Sequence, residues 1–224
     1  MTSAAALAGL RVVVSAGPTY EDLDPVRFIG NRSSGKMGFA IAAAAAARGA
    51  QTVLVAGPVA LQTPQDVRRI DVRSAAQMHD TVLAQLPADI YVGAAAVADF
   101  TPRQVAAGKI KKRDGEDGLT LQLVRTPDIL ADVAKHAQRP RLVVGFAAET
   151  DDVETHARGK LAKKKLDLIA ANRVGVAGSG FESDDNALTV YWNGGARALG
   201  PAPKIRLAEQ LLDLIAARLA GAEA

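Results

Sequence analysis

A doubly wound, Rossmann-like α/β domain is the fold class this sequence predicts: a mostly parallel sheet with helices on both faces, plus a C-terminal β-hairpin region. Three observations predict it. Apolar, β-rich runs alternate with helical patterns through most of the chain. Those runs have no polar face, as expected of parallel strands covered on both sides. The alternation breaks only in the last quarter.

Taken in order, "LRVVVSAG" reads as the first buried strand, "KMGFAIAAAAAARG" as a strong helix stopped by Gly49, and "TVLVAG" as the next strand. The helix "SAAQMHDTVLAQL" is followed by the strand "IYVGAAAV". In "TPDILADVAKHA", Thr126 is the expected N-cap and Pro127 the first helical residue, and "RLVVGFAAE" follows as another buried strand. "DVETHARGKLAKKKL" reads as helix and "DLIAAN" as strand. "ALTVYWNGGARAL" alternates and turns at Asn193-Gly194, the signature of a hairpin, and "PKIRLAEQLLDLIAARLA" is a closing amphipathic helix. Two connections, residues 18–34 and 99–118, exceed ordinary connectors, and such loops are usually functional or disordered.

With 224 residues and no clear interdomain linker, the chain is expected to form a single domain over 1–224. The net charge is only +3 although the pI is 9.3, so any basic character that matters to partners is local. The absence of cysteine excludes disulfides, zinc-thiolate sites and thiol nucleophiles, and the three histidines lie in none of the motifs below. Neither a signal peptide nor a membrane-spanning run is visible, so a cytoplasmic protein without membrane partners is expected. The basic run "KIKKRDGEDG" is short, is followed by acidic residues and has no interleaved aromatics, which argues against nucleic-acid binding.

One stretch invites a nucleotide. "GNRSSGKM" matches a P-loop from Gly30 to Lys36 but has Met37 where the loop needs a metal-ligating hydroxyl. About fifteen residues also separate the end of the first strand from Ser34, whereas a P-loop would leave that strand directly. Ser33, Ser34, Gly35 and Gly38 nevertheless sit at the start of an Ala-rich helix, where free N–H groups and the helix dipole favour an anion. An ordinary serine N-cap with glycine for tight packing is the competing reading. A dinucleotide fingerprint is missing, because "SAGPTYEDLDPVR" after the first strand holds one glycine.

Five motifs in one order carry a family resemblance: "SAGPTYEDLDPVRFIGNRSSGKMGFAIA", "GAAAVADFTPRQVAAGKIKK", "TPDIL", "VGFAAET" and "KLAKKKLDLIAAN". Together they resemble the bacterial phosphopantothenoylcysteine synthetase, a coenzyme A pathway ligase often fused behind a flavin-dependent decarboxylase. The resemblance spans nearly the whole chain. It departs at Tyr20, where the family commonly has Arg, and at Gly30, where it commonly has Ser.

The resemblance implies a ligation in two steps. The carboxylate of 4′-phosphopantothenate attacks the α-phosphate of CTP, and the amine of L-cysteine then attacks the resulting acyl-cytidylate. It further implies that Ser33, Ser34, Gly35 and Gly38 cradle the triphosphate, that Asn31 handles the acyl-cytidylate, and that Lys109 on a flexible flap neutralises phosphoryl charge. A structural Asn and a solvated charge run are the competing readings for these two. Thr126, Pro127, Asp128 and Ile129 would supply groups to CTP, Phe146 a surface for ribose or base, and Lys160 and Lys164, four apart on one helical face, contacts to one anion. Ala95 and Ala96 fit a wall whose main chain reads the cytosine edge. Asp99 lies past a strand end, where sites in open α/β sheets gather, and is the first candidate ligand for Mg²⁺ or Mn²⁺, with Asp128 the second.

An ATP-using version stays open, since triphosphate contacts do not choose a base. A homodimer is implied, with residues 174–199 as its contact surface. No flavin is expected in this chain; from the missing decarboxylase half and the "MTSAAALAGL" start, an excised part of a longer two-activity protein is expected, with a free-standing chain left open.

Overall fold

The computed structural model describes residues 6–112, 117–173 and 185–221. The first strand, β1 (Arg11–Ala16), leads into a small antiparallel pair, β2 (Tyr20–Asp22) and β3 (Phe28–Gly30), and then helix α1 (Lys36–Ala46). β4 (Gln51–Ala56), β5 (Val67–Asp71), α2 (Ala75–Leu83) and β6 (Ile90–Gly93) follow. A second small antiparallel pair, β7 (Phe100–Pro102) with β8 (Leu123–Arg125), precedes α3 (Ile129–Lys135). The chain then forms β9 (Leu142–Glu149), α4 (Val153–Lys164), β10 (Leu168–Arg173), the hairpin β11 (Asp185–Trp192) and β12 (Gly195–Pro203), and α5 (Lys204–Leu219).

Eight strands form one sheet in the order β12-β11-β10-β9-β6-β1-β4-β5. From β5 to β10 every pairing is parallel, and β11 and β12 add an antiparallel edge. Counting only the parallel strands by chain order gives 3-2-1-4-5-6, the doubly wound order, with its direction of winding reversing between β1 and β6. The expected fold class is therefore the observed one.

Side chains alternate across the sheet as a period of two requires. Val12, Val14, Leu54, Ile90, Val92 and Leu168 join α1 and α5 in one core layer, while Val13, Val53, Val55, Tyr91 and Ile169 join α2, α3 and α4 in the other. Helix α5 buries Leu207, Leu211, Leu212, Leu214 and Ile215 completely, each contributing about 1.5–3 kcal/mol of hydrophobic stabilisation. Helix α1 ends in a Schellman turn: Gly49, at φ 84°, donates to Ala46, and Ala50 donates to Ala45.

Several expectations need correction. The strand expected over "IYVGAAAV" stops at Gly93, although the Ala94 and Ala96 amides still donate to Ser15 and Gly17 and keep the chain beside the continuation of β1. The N-cap of α3 is Asp128, whose carboxylate accepts from the Ala131 amide; the Thr126 hydroxyl donates instead to the Ala98 carbonyl, leaving Pro127 outside the helix. β5 was not anticipated, since "VRRID" is largely polar. The long connections are not structureless, as the pairs β2–β3 and β7–β8 show. Of the expected contact surface, residues 174–184 lie outside the described residues; in the remainder Tyr191 and Trp192 are buried against the body of the domain. Arg113 of the basic run also lies outside them.

Candidate active site

A cleft of about 950 Å³ opens over the C-terminal ends of the parallel strands, where β1 and β6 diverge. Open α/β sheets bind ligands at this switch point because the helices depart to opposite faces there and leave a crevice. Its position follows from main-chain pairing. Beyond the two strands, the Ala94 amide donates to Ser15, Ala96 to Gly17 and Thr19 to Ala96, so residues 94–98 are zipped to the continuation of β1. The buried Thr19 hydroxyl accepts from the Ala98 amide at 2.9 Å.

Asn31 meets this strip from β3. Its Nδ2 donates to the Ala96 carbonyl at 3.2 Å and to the Val97 carbonyl at 2.9 Å. Both amide hydrogens are thereby used, and Oδ1 is left as an acceptor facing no described partner. Nδ2 therefore has no hydrogen left to offer a ligand in this conformation.

The helix start behaves differently from a serine cap. Gly35, at φ 74°, occupies the N-cap of α1 without a side-chain hydrogen bond to the helix, and its amide donates to the Ser33 hydroxyl at 3.3 Å. The amides of Lys36, Met37 and Gly38 thus begin an eleven-residue helix that has no side-chain cap. Gly38 has a packing reason of its own: a Cβ there would stand 2.4 Å from the Ala16 Cβ, so α1 approaches β1 only because position 38 is glycine.

On the opposite wall, Thr126 is held by its amide to the Asp99 carbonyl at 3.1 Å and by its hydroxyl to Ala98 at 2.6 Å. Pro127, Asp128, Ile129 and Phe146 follow along the lining. Both expected lysines are paired: Lys164 with Asp128 at 2.9 Å and Lys160 with Glu149 at 2.6 Å. Ala95, Ala96 and Asp99 complete the set. Every sequence-selected residue except Lys109 lines the cleft. Lys109 is exposed and lies outside the lining.

The cleft has further lining residues to which the sequence assigned no role, some inside the motifs and some, such as Tyr91, Arg125 and Lys204, outside them. Ser15 and Tyr91 share a 3.0 Å hydroxyl contact at its floor, and burial pushes the Tyr91 phenol far above its ordinary value, so it stays neutral. Among the described lining residues, Arg32, Lys36, Arg125, Lys163 and Lys204 join Lys160 and Lys164, against Asp99 and Asp128, giving these walls a cationic excess. Lys163 could have been suspected from its place beside Lys164, and Arg125 from its place before "TPDIL". Tyr20, the departure noted above, stacks on Phe28 at 3.8 Å beneath the Arg73 guanidinium and does not line the cleft.

No group of three His, Cys, Asp or Glu side chains converges on a metal position among the described residues. Asp128 accepts at Oδ1 from both the Ala131 amide of the α3 cap and Lys164, whereas Asp99 is exposed. These residues fit a divalent ion that arrives coordinated by phosphates, as Mg²⁺ commonly does, rather than one held by a protein cage.

Residues 7–219 match the model of the DNA/pantothenate metabolism flavoprotein C-terminal domain. The chain belongs to this family. The coenzyme A biosynthesis bifunctional protein CoaBC of Vibrio cholerae is 52% identical over 210 residues, covering 93% of this chain and 53% of the relative. The CoaBC protein of Escherichia coli K12 is 51% identical over 211 residues, covering 93% and 52%. The chain thus spans about half the length of these curated relatives. The crystal structure of the C-terminal domain of a CoaBC protein superposes with a TM-score of 0.82 at 37% identity, covering 97% of this chain and 99% of that one. Membership of the family agrees with the resemblance carried by the five motifs. Among the described residues, no helix is long and apolar enough to cross a membrane.

Proposed function

We propose that this family member acts in coenzyme A biosynthesis as a phosphopantothenate–cysteine ligase that uses CTP. The observation that carries the reading is the cationic switch-point cleft, where the uncapped start of α1 stands across from the Thr126–Ile129 corner with Asn31 between the strands. The amides of Lys36, Met37 and Gly38 would take phosphate oxygens, helped by the helix dipole and by Lys160 and Lys164 once these leave their carboxylate partners. The 4′-phosphopantothenate carboxylate then attacks the α-phosphate, forming a C–O–P anhydride and expelling pyrophosphate. Cysteine's amine attacks the acyl carbon, loses a proton and releases CMP.

Asn31 Oδ1 is suited to accept from the incoming amine, while Nδ2 keeps the Ala96–Val97 wall in place. The main chain of Ala95 would read the base. The Ala96 amide and carbonyl are taken by Gly17, Thr19 and Asn31, so Ala96 would only shape the wall, and Phe146 would carry ribose or base. Lys109 would approach the phosphates from the 103–112 loop to neutralise developing charge. Mg²⁺ or Mn²⁺ would be met by Asp99 and would supply charge neutralisation on the triphosphate. A homodimer and a companion flavin-dependent decarboxylase unit belong to the same proposal. The test is mass spectrometry of a reaction lacking cysteine, run with CTP and with ATP. An acyl-cytidylate with CTP is the expected product; an acyl-adenylate overturns the base assignment, and neither adduct overturns the ligase reading.

A further inference from the structure

The turn between β2 and β3 grips the loop that carries Lys109. Asp24 is 1% exposed, and its carboxylate collects donors from two directions. Oδ1 accepts from the Val26 amide at 2.8 Å and the Arg27 amide at 2.9 Å, which folds the turn. Oδ2 accepts from Arg27 Nε at 3.0 Å and Nη2 at 2.5 Å, and also from the Ile110 amide at 3.0 Å across 86 residues of chain. Arg27 Nη2 in turn donates to the Ile110 carbonyl at 2.6 Å. The Ile110 residue is therefore held at both main-chain polar groups by one ion pair. A second tie closes the loop upstream, where the Ala106 amide donates to the Leu23 carbonyl at 3.0 Å.

Such an arrangement exceeds what turn formation needs. The two amides on Oδ1 already complete an Asx-type turn, and a neutral Asn or Ser would serve that purpose. A buried carboxylate is costly unless its lone pairs are filled, and here the filling partner comes from a distant loop. The residue so gripped directly follows Lys109, whose own side chain has no need of burial and is exposed. We propose that Asp24 and Arg27 form a clasp that positions Lys109, resting on the phosphate-neutralising role proposed for that lysine. Asp24 is then a positioning residue: it touches no substrate and acts by fixing the main chain one residue from the ammonium. A misplacement of about 1 Å at a reacting group can cost about 100-fold, so a main-chain anchor is worth having.

The test separates the clasp from the lysine. Hydrogen exchange at the Ile110 amide and tryptic cleavage after Lys109 read the clasp without any substrate. In Asp24→Ala, both are expected to accelerate by about tenfold or more, the scale set by loss of charge-assisted hydrogen bonds. Acyl-cytidylate formation is expected to fall about 10- to 100-fold. The double variant Asp24→Ala/Lys109→Gln is expected to be no slower than Lys109→Gln alone, because a residue acting through Lys109 has nothing left to position. Unchanged exchange and cleavage overturn the clasp, and losses that multiply in the double variant overturn its connection to Lys109. If Lys109→Gln alone leaves turnover intact, it is the proposed lysine role that fails, while the exchange data still judge the clasp. Should Asp24→Ala not fold, Arg27→Gln, at a side chain 43% exposed, releases the Ile110 carbonyl and is read in the same way.

Discussion

The Asn31 side-chain amide donates to the main-chain carbonyl of Val97 at 2.9 Å, joining β3 to the strip beyond β6. Together with the bond to Ala96, this makes the cleft wall depend on a group that donates twice. Asn31→Asp keeps the size but replaces two N–H groups with an anion facing two carbonyl oxygens. Turnover of cysteine is expected to fall about 100-fold or more, the scale of a lost pre-organised polar contact in an active site. Steady-state ligation measured beside Asn31→Ala checks this; an Asp variant faster than the Ala variant would show that repulsion at the wall is unimportant.

Gly38 and Ala16 define how closely α1 lies on β1. The added methyl of Gly38→Ala would begin 2.4 Å from the Ala16 Cβ, and neither atom belongs to a flexible side chain. Overpacking of this kind costs about 1–3 kcal/mol even after relaxation. A lower midpoint of urea unfolding at unchanged slope is expected, with CTP binding weakened because the helix start moves with the helix. An unaltered midpoint would mean that α1 shifts freely on the sheet.

Asp128 serves α3 and Lys164 together, and the two duties can be separated. Asp128→Ala removes the cap and is expected to cost about 0.5–2 kcal/mol. Asp128→Asn retains an acceptor for the Ala131 amide, so most of that stability should return. The part-exposed ion pair itself adds little. If Lys164 contacts CTP, Asp128→Asn releases it at no cost and the KM for CTP does not rise. A steep rise in the Mg²⁺ concentration needed for half-maximal rate would instead make Asp128 a metal ligand.

The parallel sheet was legible because its strands are continuous apolar runs separated by helical spacing, and those patterns are local. β5 was not, since Arg68, Arg69 and Asp71 outnumber Val67 and Ile70, its only apolar residues, at the sheet edge. The cleft lining was nearly complete in the motifs because glycines, small residues and cations cluster at strand ends. What the chain order could not reveal is pairing at long range. The Asn31 hydrogen bonds span 65 and 66 residues, the Ser15–Tyr91 contact spans 76, and the Asp24–Ile110 bond spans 86. The cap of α3 was misassigned for a similar reason: Thr126 and Asp128 are both good caps, and only the Ala98 carbonyl, brought in by the sheet, decides between them.

The Arg27 guanidinium, with the Ile110, Val26 and Arg27 amides behind it, holds the Asp24 carboxyl well below the usual carboxylate range. A depressed folded value means that the contribution of the clasp is fully present above the unfolded carboxylate value near 3.9 and is lost as pH falls towards the folded one. Exchange protection at Ile110, corrected for the intrinsic chemical rate, is therefore expected to be flat from pH 8 to pH 5 and to decline only in stronger acid. Loss of protection between pH 7 and 6 would point to a histidine and exclude Asp24 as the controlling group.

Lys109 gives the sharpest division between a loop charge and a working one. Its side chain is exposed and stands outside the cleft lining, as a solvated lysine does. The neighbouring Lys111 and Lys112 are equally exposed, and neither directly precedes the gripped residue. If position matters, Lys109→Gln should depress acyl-cytidylate formation by about 100-fold or more, as removal of other transition-state donors does, while Lys111→Gln and Lys112→Gln stay near wild type. If only the general field of the basic run matters, the three variants should lose similar small factors, and added salt should shrink all three. Single-turnover kinetics with saturating CTP at two ionic strengths distinguishes the cases. The outcome decides whether the ammonium next to Ile110 enters the reaction or merely decorates the loop.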